Sequence, residues 1–264
     1  MNAVDLTKLL RELRWPVTAE QYASTAIVAE REGWTFSRFL LALAQAEVEG
    51  KRQRRVDRLL KESGLPGEKT RANLNLDRIA PKARRLIIRA FEGDFVDAAE
   101  NLLIFGLPGR GKTHAACAVG HALVRAGHSV RFFPAYQLVQ RLLAAKRDLK
   151  LERLIDQLDA VDVVILDDIG YVQQDRAEME VLFTFLAQRY ERRSVIITSN
   201  LVFSQWERIF QDPMTTAAAI DRLVHHAMVI EMTGESLRME SAEARLDLES
   251  SATGPGDGGA PAPT

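Results

Sequence analysis

Two apolar rhythms divide the chain. Over the first 64 residues apolar positions recur at three- and four-residue intervals, the spacing of one face of an α-helix. "VDLTKLLRELR" sets Val4, Leu6, Leu9, Leu10 and Leu13 in this way before Pro16 interrupts the pattern. Thr18 is placed to cap a second helix that runs to about Glu32 and stops at Gly33. Ser37 is placed to open a third, "SRFLLALAQAEVEGKRQRRVDRLLKES", that ends at Gly64. From about residue 77 the rhythm changes. Continuous apolar runs occupy 101–106, 129–134, 162–167, 194–200 and 227–232, with helical stretches near 112–126, 135–147, 176–192 and 215–225 between them. Short apolar runs alternating with helices predict a parallel sheet covered on both faces. The expected organisation is a helical domain over 1–66, a Gly/Pro-containing linker over 67–80, an α/β domain over 81–240 and a tail over 241–264. That tail is acidic, then Gly/Pro/Ala-rich, and is expected to be disordered.

Composition adds compartment and charge. A chain of 264 residues, 47% apolar, suits one large domain with a smaller partner. The single cysteine, Cys117, excludes an intramolecular disulfide and fits a reducing compartment. No basic-then-apolar leader opens the chain and no apolar run approaches the length that spans a bilayer, so a soluble cytoplasmic protein with no membrane partner is expected. The net charge of −1 averages two opposed regions. Thirteen Lys and Arg face four acids between Lys51 and Arg89, whereas seven acids face two cations from Glu231 onward.

The chemistry begins at "GLPGRGKT", Gly106 to Thr113, which follows one predicted strand and opens a helix. This is the G-x-x-x-x-G-K-[ST] pattern in its proper context. Gly106, Gly109 and Gly111 let the backbone curl so that the N–H groups of Leu107 through Lys112, Pro108 excepted, turn toward phosphate oxygens. Arg110 lies within the same loop. The helix after it presents the positive end of its dipole. Lys112 neutralises the outer phosphates of ATP and the Thr113 hydroxyl ligates Mg²⁺.

About 55 residues on, "VVILDDIGYV" ends a strand with two aspartates. Alone, such a stretch reads as a strand ending, since Asp followed by Gly is a common exit. Downstream of a phosphate loop it acquires two roles. Asp167 is the carboxylate on the Mg²⁺ side, and Asp168 the general base or water-orienting group for hydrolysis. Asn200, closing "SVIITSN", can hydrogen-bond both the attacking water and the γ-phosphate; the ordinary alternative is a polar strand end.

In their order, "GLPGRGKTH", "VVILDDIGYV", "RYERRSVIITSN", "FSQWERIFQDP" and "AAIDRLVHHAMVIEMTGESLR" resemble the IstB family of insertion-sequence transposition helpers. These are AAA+ P-loop ATPases related to the DnaC and DnaI helicase loaders. The resemblance spans roughly residues 5 to 240. It implies an AAA+ α/β fold, preceded by a small helical domain, in a homo-oligomer that acts on double-stranded DNA and stimulates an IstA-like transposase. Arg222 aligns with the arginine finger that reaches a neighbouring subunit's γ-phosphate, and Arg238 with the second sensor arginine. Asp168 departs from the broad AAA+ pattern, where Glu is usual, and is one methylene shorter; slow turnover follows as an expectation. The short segment after residue 232 implies no full helical lid. A helicase loader and an ATP-gated DNA scaffold with little turnover are the alternative readings.

The run "KRQRRVDRLLK" places Lys51, Arg52, Arg54, Arg55, Arg58 and Lys61 near the end of the third helix. A solvated face is the ordinary meaning of a charge run, but acids are sparse here. Such a surface attracts the phosphate backbone without reading sequence. Lys82, Arg84, Arg85 and Arg89 form a second basic cluster. His114, His121 and His128 recur every seven residues, about 10.5 Å apart on a helix, too far to share a metal. His225 and His226 adjoin on a helix end with no Cys or acid at ligand spacing, so no zinc site is expected. Cys117 and the three tryptophans read as packing residues.

Overall fold

The computed structural model of the chain describes residues 3–170, 176–201 and 220–233. The chain divides between Glu62 and Ser63 into two compact units.

The first unit is helical: α1 (Ala3–Glu12), α2 (Pro16–Arg31) and α3, which starts at Phe36 and runs to Ser63. Pro16 opens α2 instead of merely interrupting α1, because its fixed φ suits the first helical position and its missing N–H is not needed there. Thr18 is therefore not a cap. It is buried in the first turn, where its amide donates to Glu47 Oε2 at 3.0 Å and its hydroxyl to the Leu43 carbonyl at 3.3 Å. Thr35, not Ser37, opens α3, its hydroxyl accepting from Arg38 N at 3.3 Å. Gly33, at φ +63°, ends α2 as its backbone freedom predicts. Glu47 is buried, and Arg54 reaches it at 3.0 Å, so one cation of the basic run neutralises an interior carboxylate.

In the second unit, after α4 (Pro81–Ala90) and α5 (Asp94–Asp97), come β1 (Asn101–Phe105), α6 (Lys112–Ala126), β2 (Val130–Pro134), α7 (Ala135–Arg147), α8 (Leu151–Asp159), β3 (Val163–Ile169), α9 (Arg176–Arg189), β4 (Ser194–Ser199) and β5 (Ala227–Glu231). The strands form one sheet in the order β2-β3-β4-β1-β5, with every pair parallel. This is the sheet that the alternating pattern predicts. The short helix α8 is not in that prediction: Leu149 at φ +55° breaks the helical run before Leu154, Ile155 and Leu158 resume it. Period-two alternation sorts the strands' side chains between two layers. Leu103 and Phe105, Val164 and Leu166, and Val195 and Ile197 join Leu138, Leu142, Leu182 and Phe185 of α7 and α9 in one core. Ile165 points the other way, toward α6, where a Cβ on Gly120 would come within 2.8 Å of it.

Residues 65–70 run along α6. The carbonyl of Pro66 lies 2.9 Å from His121 Nε2, and that of Thr70 lies 3.1 Å from His114 Nε2. The predicted helix over 176–192 ends at Arg189, whose guanidinium turns into the interior. It donates to the carbonyls of Leu158, Val161, Asp162 and Ser194 at 2.7 to 3.0 Å. One side chain thus binds the end of α8, the entry to β3 and the start of β4. Burial pulls its pKa down to about 10, so it remains charged at neutral pH.

Candidate nucleotide-binding site

Because β4 lies between β1 and β3, three strand ends meet at one edge of the sheet: the glycine loop after β1, Asn200 after β4 and the aspartates of β3. Ligands of open parallel sheets bind at this carboxyl edge.

The loop's glycines are required by its backbone. Gly106 has φ +153°, and a Cβ there would fall 2.4 Å from the Met232 carbonyl oxygen. Gly111, at φ +82°, caps α6 with no side-chain hydrogen bond, leaving the first-turn amides for an anion. Leu107 and Pro108 are exposed, and Gly109, Arg110 and Gly111 half-buried, around the loop. Lys112 is only 7% exposed. Its ammonium donates to the Leu107 carbonyl at 3.0 Å and to Asn200 Oδ1.

Thr198 organises the aspartates. The β3–β4 register slips between Leu166 and Ile169, so that Asp167 and Asp168 together oppose one residue of β4. Asp168 takes up the extra length at φ +65°, in the left-handed region that Asp tolerates better than most residues. Thr198 Oγ1 donates to Asp167 Oδ1 at 2.6 Å and accepts from Asp168 N at 2.8 Å. Asp167 Oδ2 accepts from the Thr113 hydroxyl at 3.1 Å, and Asp168 Oδ1 from Asn200 Nδ2 at 2.9 Å. The bulge separates two neighbouring acids: Asp167 faces Thr113, whereas Asp168 faces Asn200, which also holds Lys112.

These residues fit a nucleotide triphosphate with Mg²⁺. The uncapped helix start and buried ammonium complement phosphate, and a hydroxyl beside a carboxylate is the hard oxygen donor set that Mg²⁺ takes. Of the residues singled out in the sequence, Gly106, Lys112, Thr113, Asp167, Asp168 and Asn200 meet at this edge. Thr198 was not among those singled out; its only signal is a polar residue inside a fully buried strand.

Arg222 is elsewhere. It is exposed on the helical stretch 220–225, next to Leu223, whose carbonyl accepts from Asn101 Nδ2 at 3.2 Å. Asn101 begins β1 and the glycine loop follows its end, so a strand's length of roughly 15 Å separates Arg222 from the loop. Arg238 lies outside the described residues. Lys51, Arg52, Arg54, Arg55, Arg58 and Lys61 are all exposed on α3, whereas Val56 and Leu59 of the same stretch are buried.

One expectation is corrected. His225 and His226 do have an acidic partner: Glu191, after α9, brings its carboxylate to 3.8 Å from His226 Nε2. The two imidazoles stand edge to face with centroids 4.2 Å apart. Their distance from Glu191 along the chain hid the grouping. Cys117 is fully buried on α6, and burial pushes its thiol up to about 12. Among the described residues no helix is long and apolar enough to cross a membrane.

The profile of the IstB-like ATP-binding proteins matches residues 8–244. An insertion-sequence ATP-binding protein of Sinorhizobium fredii is 43% identical over 245 residues, covering 91% of this chain and 82% of the relative. The IS21 ATP-binding protein of Pseudomonas aeruginosa is 36% identical, covering 89% of each. In three dimensions, the solved structure of DnaI aligns at TM-score 0.54 and 22% identity, over 65% of this chain and 96% of that one. At that identity the likeness speaks for the AAA+ fold.

Proposed function

The chain belongs to the IstB-like ATP-binding protein family, and from that premise we propose that it hydrolyses ATP as the helper of a transposase, oligomerising on double-stranded DNA and remodelling it. ATP binding and the AAA+ fold come with the family. The observation that carries the hydrolytic reading is the hydrogen-bonded path from Lys112 through Asn200 to Asp168. It places a buried cation, a neutral amide and a carboxylate in one row at the mouth of the glycine loop.

In this reading Lys112 and the first amides of α6 hold the phosphates. Thr113 and Asp167 are the side chains that would hold Mg²⁺, which when bound spreads the charge of the β- and γ-phosphates. Asn200 orients a water, and Asp168 accepts its proton as the oxygen attacks the γ-phosphorus. The bond to the β-phosphate oxygen breaks, and ADP and phosphate leave. Arg222 lies too far from its own subunit's loop to serve there, so its contribution is made to a neighbour, which ties hydrolysis to assembly. The exposed cations of α3 take the DNA backbone.

A scaffold with little turnover is the second reading, favoured by the shorter Asp168 and its engagement by Asn200. Phosphate release with duplex DNA present, for the wild type and Asp168→Asn, decides between them. Hydrolysis predicts a wild-type rate that DNA stimulates and a loss of about a hundredfold or more in the variant. Equal rates in the two proteins remove Asp168 from the reaction.

A further inference from the structure

At the opposite edge of the sheet from the glycine loop, a second set of donor atoms converges. One ring nitrogen each from His225 and His226 and one carboxylate oxygen from Glu191 lie within 4.8 Å of one another, and all three residues are exposed. Among the described residues no other group of His, Cys, Asp or Glu side chains converges in this way.

Each of the three is held by a separate device. Glu191 sits at φ +57° in the turn between α9 and β4, a turn closed by the amides of Arg192 and Arg193 on the Arg189 carbonyl. The same Arg189 is anchored inside by four carbonyls, so the turn rests on a rigid base. The carbonyl of His226 accepts from Asn101 N at 2.7 Å, which fastens it to the start of β1. The His225 ring is steadied by the Tyr190 hydroxyl, 3.2 Å from its Nδ1.

An exposed carboxylate–imidazole contact at 3.8 Å is weak and does not by itself account for the convergence of three donors. We propose that Glu191, His225 and His226 form a binding site for a zinc-class divalent ion. Two imidazoles and one carboxylate are the donor set of an open zinc site, with a fourth position left for water or a group from another molecule. Imidazole donors select zinc-class ions over Mg²⁺, so this site does not compete for the ion expected at Thr113 and Asp167. Around a tetrahedral ion with bonds of about 2.0–2.1 Å the donor atoms stand roughly 3.3 Å apart. Closing the remaining gap takes only rotations of exposed side chains.

The position gives the ion something to act on. His225 is one helical turn beyond Arg222, and Tyr190 and Arg222 line the same cavity of about 90 Å³. A bound ion ties the end of the 220–225 helix to the α9–β4 turn and so stiffens the segment that carries Arg222.

The test needs neither nucleotide nor DNA, so its outcome is separate from that of the ATPase reading. Tag-free full-length protein is titrated with Zn²⁺ against a chromophoric chelator in millimolar Mg²⁺. The wild type is expected to take one Zn²⁺ per chain, and Zn²⁺ is expected to raise its unfolding midpoint. His225→Ala/His226→Ala is expected to lose that ion and that stabilisation, and Glu191→Gln to weaken binding by at least about tenfold. All three side chains are exposed, and circular dichroism verifies that the variants fold. A wild type that takes no Zn²⁺, or a double variant that binds it with unchanged affinity at His114, His121 or His128, overturns the proposal.

Discussion

The two edges of the sheet each bury a cation, and they treat it differently. At the carboxyl edge Lys112 is 7% exposed and donates to one backbone carbonyl and one side-chain amide beside a loop of uncapped N–H groups. At the amino edge Arg189 is 1% exposed and its terminal nitrogens are boxed in by four carbonyls of the chain itself. Both charges cost desolvation. Arg189 recovers that cost within the fold, through hydrogen bonds that join α8, β3 and β4. Lys112 stands in an electropositive loop whose complement is an anion from outside. A buried cation held by four carbonyls of its own chain is architecture; one set at the start of an uncapped helix is a binding group.

Substitution at each edge breaks the comparison in opposite ways. Arg189→Leu strands the carbonyls of Leu158, Val161, Asp162 and Ser194, and the expected loss is about 3–5 kcal/mol of stability, read from the urea midpoint. Arg189→Lys recovers only part of it, since one ammonium cannot reach four separated acceptors. An unshifted midpoint in both variants would show that the clamp is incidental. Lys112→Ala is expected to leave stability within about 1 kcal/mol, because the lost hydrogen bonds are offset by removal of a buried charge. ATP affinity, by contrast, is expected to fall about a hundredfold, close to 3 kcal/mol, in a fluorescent-nucleotide titration. A large stability loss with intact ATP binding would reverse the assignment of the two edges.

The same contrast governs what the sequence disclosed. The glycine loop was legible because its requirements are local: Gly106, Gly111, Lys112 and Thr113 lie within eight consecutive positions, and each residue type follows from the backbone or the phosphate. The aspartates and Asn200 were legible because parallel strands end at one edge, so strand-terminal polar residues meet there. Arg189 was not legible as a clamp, since its partners are main-chain carbonyls, which any sequence supplies. The grouping of Glu191 with His225 and His226 depends on two loops that approach only after the sheet has formed. The starts of α2 and α3 were misread at Thr18 and Ser37 through local competition, each lying two residues from Pro16 and Thr35, which open the helices. Thr198 looked like any β-branched strand residue, because the register slip opposite it is decided by how β3 pairs with β4.

That slip offers the finest division between architecture and binding. Thr198→Val keeps the β-branched shape in a fully buried position and removes only the hydroxyl. Asp167 then loses a donor at 2.6 Å, and the Asp168 amide loses its acceptor at 2.8 Å. The expected stability cost is about 1–2 kcal/mol, smaller than at Arg189 because two contacts are lost instead of four. Function should change alongside stability. Asp167 would keep its bond from Thr113 but lose the hydroxyl that fixes its other oxygen, and loosening a carboxylate that supports a metal typically costs 10- to 100-fold in affinity. The Mg²⁺ concentration giving half-maximal nucleotide affinity or hydrolysis should rise by about tenfold, while affinity for nucleotide without Mg²⁺ stays near that of the wild type. Thr198→Ser retains the hydroxyl and is expected to restore the Mg²⁺ dependence. If valine and serine variants share one Mg²⁺ profile, the hydroxyl positions nothing, and the bulge alone sets the two aspartates apart.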